Sequence, residues 1–185
     1  MPKFIPLTKI KSGLRENTHL GRLDTGLAIS VNRKTMGIDM PFITTQRLTN
    51  IGAKKMMGAA IKKAEKIGIS ATVAIVDAGG HMLLLERMDG GRFHTVHSST
   101  TKAITAASNR RPTTTRGAQG QDLDTLHAIG LSLAAGSNQW TAMEGGFPIF
   151  YDKECVGGIG VSGGDWEQDQ EIAQAAVDAV GATYE

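Results

Sequence analysis

Two segments of the sequence share one design: a strand pattern, a tight turn rich in Gly or Asp, and a second strand pattern. The first covers residues 74–89 and turns at Asp77-Ala-Gly-Gly80. The second covers residues 145–163 and leads into Ser162-Gly-Gly164. Glycine at the end of a strand lets a ligand approach the backbone closely. The two segments therefore predict two β-hairpins that together form half of a ligand pocket.

Helical patterns surround the hairpins. Apolar residues at helical spacing, Ile51 and Met56 among them, predict a helix over residues 45–66 that ends at Gly68. Weaker or shorter patterns predict three more helices, over residues 95–109, 123–133 and 166–180. Asp165 precedes the last one and can cap it. Since hairpins dominate and helices flank them, the predicted fold class is α+β, an antiparallel sheet with helices packed on it.

Charge and composition divide the chain near residue 44. Residues 1–50 hold eight Lys or Arg against three Asp or Glu, whereas the remainder holds twelve against fifteen. The apolar residues of segment 1–43 show no sustained period, which predicts an irregular extension with a short strand at residues 26–31. We expect this extension to pack on a neighbouring subunit. Its basic charges are scattered and accompanied by only two phenylalanines, so nucleic acid is not an expected partner.

The remaining composition is that of an ordinary soluble globule, with 41% apolar and 21% charged residues. The lone Cys155 has no internal disulfide partner and is expected to be a packed, inert thiol. No stretch approaches the roughly 20 apolar residues of a membrane helix. The N-terminus lacks a secretory signal. We therefore expect a cytoplasmic protein without membrane contact.

Several motifs occur in a fixed order along the body. They are Ala74-Ile-Val-Asp77, Arg87-Met-Asp-Gly-Gly91, Lys102-Ala103, Thr105-Ala-Ala107, Gly145-Gly-Phe-Pro-Ile149, Val156-Gly-Gly-Ile-Gly-Val-Ser-Gly163 and Asp169. This succession resembles the GlcG/HbpS family, also called the haem-degrading or PduO C-terminal-like domain, over residues 45–182. The resemblance implies a profilin-like sheet, a homo-oligomer, and a small anionic or planar ligand such as haem. Residues 92–97 (Arg-Phe-His-Thr-Val-His) depart from the family pattern.

Arg87 and Asp89 are the sharpest candidate pair. Strand alternation places them on one face, where Asp89 can orient the guanidinium. Arginine binds a carboxylate or propionate through two hydrogen bonds. The alternative is a structural salt bridge that holds the strand to the next helix. Met88, which lies between the two residues in the sequence, is expected to contribute to ligand binding.

His94 and His97 stand three residues apart at a predicted helix start, so both rings can point to one side. They can ligate a metal if Glu144 or Asp89 supplies a third ligand, or one can serve as an iron ligand or general base. The alternative is two solvent-facing histidines. Phe93, next to His94 in the sequence, is expected to contribute to ligand binding.

Other residues can contribute to the pocket. Trp140 and Glu144 precede the second hairpin and can form a lip over a ligand, and Ser162 and Gly163 offer a hydroxyl and a backbone near a helix N-terminus. Lys102 can add positive charge to the same pocket, although we expect it to be solvated.

These residues support two main hypotheses. The first is a cytoplasmic protein that binds haem or a related tetrapyrrole, with Arg87 on a propionate and His94 or His97 on the iron. The second is a small catabolic enzyme, an isomerase, hydratase or lyase, acting on a small organic or aromatic acid. There Arg87 anchors the carboxylate, while His94, Asp89 or Glu144 moves a proton. A third possibility is an oligomeric scaffold with no ligand.

Overall fold

The structure is a computed structural model that describes residues 41–185. Residues Thr44–Glu185 form one compact unit. The extension expected over residues 1–43, including its strand at residues 26–31, lies outside the described residues except for the last three. No helix of the described range is both long enough and apolar enough to cross a membrane.

The described chain contains four helices and four strands. In chain order they are α1 (Asn50–Ile67), β1 (Thr72–Asp77), β2 (Met82–Arg87), α2 (Thr95–Asn109), α3 (Thr125–Ala135), β3 (Gly146–Tyr151), β4 (Glu154–Ser162) and α4 (Trp166–Asp178). The strands form one sheet in the order β2-β1-β4-β3, with every neighbouring pair antiparallel. The α+β fold and both predicted hairpins are therefore confirmed.

Local residues explain where these elements begin and end. The Thr49 side chain accepts a hydrogen bond from Gly52 N at 3.1 Å, so α1 begins at Asn50 rather than near residue 45. Gly68 has φ +85° and ends the same helix, as its lack of a Cβ allows. Asp165 caps α4, and Gln168 completes a capping box with it.

The turn of the first hairpin is held by one carboxylate. Asp77 Oδ1 accepts hydrogen bonds from Gly79 N at 2.8 Å and from His81 N at 2.9 Å, and His81 Nδ1 lies 3.1 Å away. Partial burial acts to raise the pKa of Asp77, but these hydrogen bonds outweigh it and leave the pKa below its ordinary value.

Helices cover both faces of the sheet. On one face α1 and α4 bury Val73, Ile75, Ile159 and Val161 in the main core. On the other face α2 lies directly on β4, where Gly158 and Gly160 carry no side chain. A Cβ at Gly160 would come within 2.0 Å of Ser99 O, and one at Gly158 within 2.3 Å of Ala103 O. The glycines of β4 are thus what lets a helix backbone pack against a strand backbone.

Helices α1 and α3 bury different residues from those that the sequence pattern predicts. Ile51 was expected to face the core but is 82% exposed, because α1 instead buries Ala53, Met56 and Met57. The helix expected at residues 123–133 is present as α3, yet none of its residues is buried.

Candidate functional site

One end of the sheet carries a row of polar side chains. Thr72 on β1 is paired with Arg87 on β2 and with Ser162 on β4. Directly opposed residues of antiparallel strands point to the same face of a sheet. Arg87, Thr72 and Ser162 therefore share the face that α2 covers.

The first turns of α2 bind this row through hydroxyl groups. Thr72 Oγ1 lies 2.6 Å from Thr95 Oγ1, and Ser98 Oγ donates to Ser162 Oγ at 2.8 Å. The Thr95 hydroxyl donates to Arg92 O at 2.5 Å, so Thr72 is the donor in their contact. Because Thr72 and Thr95 are fully buried, these bonds fix the helix start against the sheet.

Two arginines border the start of α2. The Arg87 guanidinium donates to Gly91 O, and Arg92 Nη2 donates to Gly163 O at 2.9 Å. Both side chains are exposed, and within residues 41–185 neither forms a salt bridge with a carboxylate. Each guanidinium keeps further N–H donors for an anionic ligand.

The expected pairing of Arg87 with Asp89 is wrong. Strand β2 ends at Arg87, and Gly91 N donates to Met88 O in a turn, so strand alternation does not extend to Asp89. The Asp89 side chain is exposed. Met88 is half-buried against the main core, and its sulfur accepts a hydrogen bond from Ala71 N at 3.4 Å. Met88 therefore has a packing role in this structure.

An exposed aromatic pair lies between the two arginines in sequence. Phe93 is 82% exposed, and its ring meets the His94 imidazole edge to face with 5.7 Å between centroids. His94 is the N-cap residue of α2, and both His94 and His97 are exposed. Among the described residues no group of three His, Cys, Asp or Glu side chains is placed to hold a metal ion. A metal at His94 and His97 would need a ligand from outside this range.

The structure separates the two residues expected to form a lip. Val161 N donates to Gly145 O at 2.9 Å, so Glu144 lies at the same end of the sheet, but its carboxylate accepts a hydrogen bond from Thr115 N at 3.3 Å. Trp140 lies at the other end, where it borders a cavity of about 280 Å³ beside Gly80 and Ile104. A joint lip of Trp140 and Glu144 is therefore wrong.

A second cavity, of about 720 Å³, also borders Trp140. Arg111, Asp122, Asp124 and His127 line it. Arg111 Nη1 donates to Gly117 O at 2.8 Å, and the Asp124 side chain caps α3 by accepting from His127 N. Some of the polar groups that line this cavity thus form hydrogen bonds within the loop and the helix that enclose it.

A buried ion pair behind the sheet end was not predicted from the sequence. Lys102 was expected to be solvated but is 4% exposed. Its Nζ donates to Asp169 Oδ2 at 2.8 Å and to Val161 O at 2.7 Å, and Gly164 N donates to Asp169 Oδ1 at 3.0 Å. Burial raises the pKa of Asp169, although Lys102 and the backbone amides act in the opposite direction. The pair holds the backbone on both sides of Ser162 and Gly163.

The start of α4 is not an open anion site. The amide of Gly164 binds Asp169, that of Asp165 binds Gln168 Oε1, and that of Gln168 binds Asp165 Oδ1. These backbone donors are satisfied within the chain. Gly163 contributes instead through its carbonyl, which accepts from Arg92.

Together these contacts define what we call the sheet-end site, consisting of Arg87, Arg92, Phe93, His94 and Ser162. It combines two cations, an exposed aromatic ring and an imidazole, next to a hydroxyl that binds Ser98 rather than a histidine. Such a set suits the binding of a flat anion and lacks the hydroxyl–imidazole pair of acyl-transfer enzymes.

Comparison with known proteins identifies one family model and a similar protein. The family model described as "Haem degrading protein HbpS-like" matches residues 48–178. Protein GlcG of Escherichia coli strain K12 is 33% identical over 110 residues, which cover 60% of this chain and 77% of that protein.

Solved structures are also similar. The Klebsiella pneumoniae protein ORFY has a TM-score of 0.68 at 33% identity, with 78% of this chain and 97% of that chain covered. The crystal structure of a PduOC–haem complex has a TM-score of 0.65 at 26% identity, with 76% and 99% covered.

Proposed function

Because the chain belongs to the HbpS-like family, we propose that it binds haem or a related tetrapyrrole at the sheet-end site. The observation that carries the proposal is the pair of exposed arginines, Arg87 and Arg92, which have no carboxylate partner among residues 41–185. A tetrapyrrole with propionate groups offers the carboxylates that such guanidinium groups bind best. The haem in the complex of the similar PduOC chain supports this ligand class.

The residues of the site fit the different parts of such a ligand. Phe93 presents an exposed ring, which a flat macrocycle can cover and so remove from water. His94 at the N-cap of α2 and His97 in its first turn carry exposed imidazoles, and a neutral imidazole is an ordinary iron ligand. When bound, the iron would supply ligand exchange and redox chemistry, while the protein's residues hold the propionates and the ring.

The observations favour binding over acid–base catalysis by this chain. Asp89 is exposed and unpaired with Arg87 in the described residues, and Glu144 is engaged with the backbone of Thr115. Neither carboxylate shares a hydrogen bond with His94 in the described part of the chain. We therefore retain the enzyme hypothesis only for a substrate whose proton is moved by His94 itself.

Titration of the full chain with haem tests the proposal. We expect a shifted Soret band with wild-type protein and its loss in the double variant His94→Gln/His97→Gln, because glutamine keeps the polarity of imidazole but is a poor iron ligand. His127→Gln is the matched control, since His127 is an exposed helical histidine on α3. A wild-type protein that produces no Soret shift would overturn tetrapyrrole binding. An unaffected double variant would exclude both histidines as iron ligands.

A further inference from the structure

The cavity of about 720 Å³ beside Arg111 is separate from the sheet-end site. Asn109, the last residue of α2, borders this cavity, whereas His94 of the sheet-end site stands at the start of the same helix. None of the sheet-end residues lines the cavity. Its volume falls within the roughly 300–1,000 Å³ that is typical of small-molecule sites, so it is large enough for a ligand of its own.

One wall of the cavity is a loop that is closed by its own backbone. Gly117 N donates to Gln121 O at 2.8 Å, and Leu123 N donates to Thr115 O at 2.9 Å. Asp122 lies between these two bonds in the sequence and lines the cavity. Its carboxylate is therefore carried by backbone that the chain itself holds in place.

Another wall contains Trp140, which is half-buried. Both of its neighbours in the chain are held by one hydroxyl, because Thr105 Oγ1 accepts from Thr141 N at 3.0 Å and donates to Gln139 O at 3.4 Å. Thr105 is 1% exposed, so water does not compete for these bonds. The backbone that carries the indole is thus fixed, and half-buried Leu131 adds further apolar surface to the cavity.

The charged side chains of the cavity have opposite signs but do not pair with each other. Arg111 is half-buried, and its Nη1 donates to Gly117 O at 2.8 Å, which leaves further N–H donors on the guanidinium. Asp122 and Asp124 line the same cavity, yet neither forms a salt bridge with Arg111. Asp124 accepts from His127 N through Oδ1, so its other oxygen takes no part in that cap. The cavity therefore offers one cation and two carboxylates to a bound molecule.

These groups fit a molecule that carries both charges. A carboxylate can accept two hydrogen bonds from the Arg111 guanidinium, and an ammonium group can donate to Asp122 and Asp124. A dicarboxylate would face the two aspartates and a diamine would face the arginine, so both are disfavoured. The apolar surface of Trp140 and Leu131 suits a large aliphatic or aromatic side chain. We propose that this cavity binds a free α-amino acid with such a side chain.

Tryptophan fluorescence of the full chain tests the proposal at the cavity itself. The sequence contains two tryptophans, Trp140 and Trp166, and Trp166 is an exposed residue at the start of α4 that does not line the cavity. In the variant Trp166→Phe, the emission therefore comes from Trp140 alone. We expect a saturable change in this emission on titration with L-leucine, L-methionine or L-phenylalanine.

Two analogues of L-phenylalanine separate the contributions of its charges. Phenethylamine lacks the carboxylate, and N-acetyl-L-phenylalanine lacks the ammonium group. Each should bind at least about tenfold more weakly than L-phenylalanine, because each has lost one charge-assisted contact. Equal affinity for all three molecules would overturn the proposal, since only the apolar surface would then bind them.

Variants of the same Trp166→Phe chain assign the two charges to residues. Arg111→Gln should remove the preference for L-phenylalanine over phenethylamine, because only the carboxylate distinguishes these two molecules at the arginine. Asp122→Asn should reduce the preference over N-acetyl-L-phenylalanine. Arg116→Gln is the matched control, since Arg116 belongs to the same loop and donates to Gly120 O but does not line the cavity. It should leave both preferences unchanged.

Two further results would overturn the proposal. The first is the absence of a saturable change in Trp140 emission with any of the three amino acids. The second is an Arg111→Gln variant that weakens L-phenylalanine and phenethylamine by the same factor, as general disruption of the loop would. Because the cavity and the sheet-end site share no residue, Arg111→Gln should leave the Soret titration with haem unchanged, and the two proposals stand or fall separately.

Discussion

Lys102 and Asp169, 67 residues apart in the chain, form a salt bridge of 2.8 Å with only 5% of either side chain exposed. The bond joins α2 to α4 beneath the sheet-end site. Val161 O and Gly164 N bind the same two side chains. The ion pair therefore fixes the backbone that presents Ser162 and Gly163 to the start of α2.

Removal of Lys102 should destabilise the fold strongly. Lys102→Met leaves the Asp169 carboxylate buried without its counter-charge, which typically costs about 3–5 kcal/mol. The double variant Lys102→Met/Asp169→Leu should recover part of that loss, because no charge then remains buried. Urea unfolding of both variants measures the difference.

Lys63→Met provides the control for this prediction. Lys63 pairs with Glu171 at the protein surface, where Glu171 is 55% exposed, so its loss should cost no more than about 1 kcal/mol. If Lys102→Met and Lys63→Met unfolded at the same urea concentration, the buried pair would have no special role in stability.

Arg87→Ala should weaken ligand binding more than it weakens folding. A lost charge-assisted contact to a propionate costs about 1.5–3 kcal/mol of affinity, whereas the guanidinium is exposed and binds only the nearby Gly91 carbonyl in the described chain. Calorimetric titration with haem and a melting curve together measure the two effects. Arg116→Ala is the control, since Arg116 likewise holds only a local carbonyl, that of Gly120. Unchanged affinity with a large drop in melting temperature would make Arg87 structural.

Gly160→Ala should lower stability by several kcal/mol, because its Cβ would lie 2.0 Å from Ser99 O and 2.6 Å from Ala103 N. Helix α2 would have to move away from β4. Gly58→Ala tests the opposite case, because Gly58 is exposed on α1 with no atom within 4 Å of its Cβ position. There we expect stabilisation of about 0.5–1 kcal/mol. Thermal unfolding of the two variants compares them, and a tolerated Gly160→Ala would contradict the close helix–strand contact.

Asp77 predicts a specific dependence of stability on pH. Its pKa is lower in the folded chain than the ordinary 3.8, so its stabilising effect is present above that pH and disappears as the pH falls through the folded value. Asp77→Asn keeps an acceptor oxygen but cannot titrate. The variant should be less stable by about 1 kcal/mol near neutral pH. The difference should shrink as the pH falls below 3.8. A difference that stayed constant over that range would exclude the carboxylate charge as its cause.

Much of the fold could be predicted because its boundaries depend on local residues. Gly68 ends α1 through its left-handed backbone, and Asp165 caps α4 with residues of the next turn. The turn at Asp77 and Gly80 likewise fixes the first hairpin. Each of these features needs only a few neighbouring residues, and a sequence pattern contains that information.

The site was less predictable because its contacts are not local. The burial of Lys102 depends on Asp169 on another helix and on the space left by Gly145, where a Cβ would lie 2.8 Å from that of Asp169. The expected pairing of Asp89 with Arg87 failed because the strand ends at Arg87, and alternation along the sequence does not show where a strand ends. The only sequence feature that pointed to the ion pair was the occurrence of Lys102 and Asp169 within the family-like motifs.

The central pairing of β1 with β4 has a consequence for how the chain folds. Each hairpin can form from neighbouring residues, but Thr72 meets Ser162 only after the long connection through α2 and α3 has been closed. Such distant pairing is slow because chain entropy is lost before contacts compensate for it. The sheet-end site includes residues on both sides of the β1–β4 pairing. We therefore expect ligand affinity to appear last during refolding, after the circular dichroism signal of the hairpins has developed.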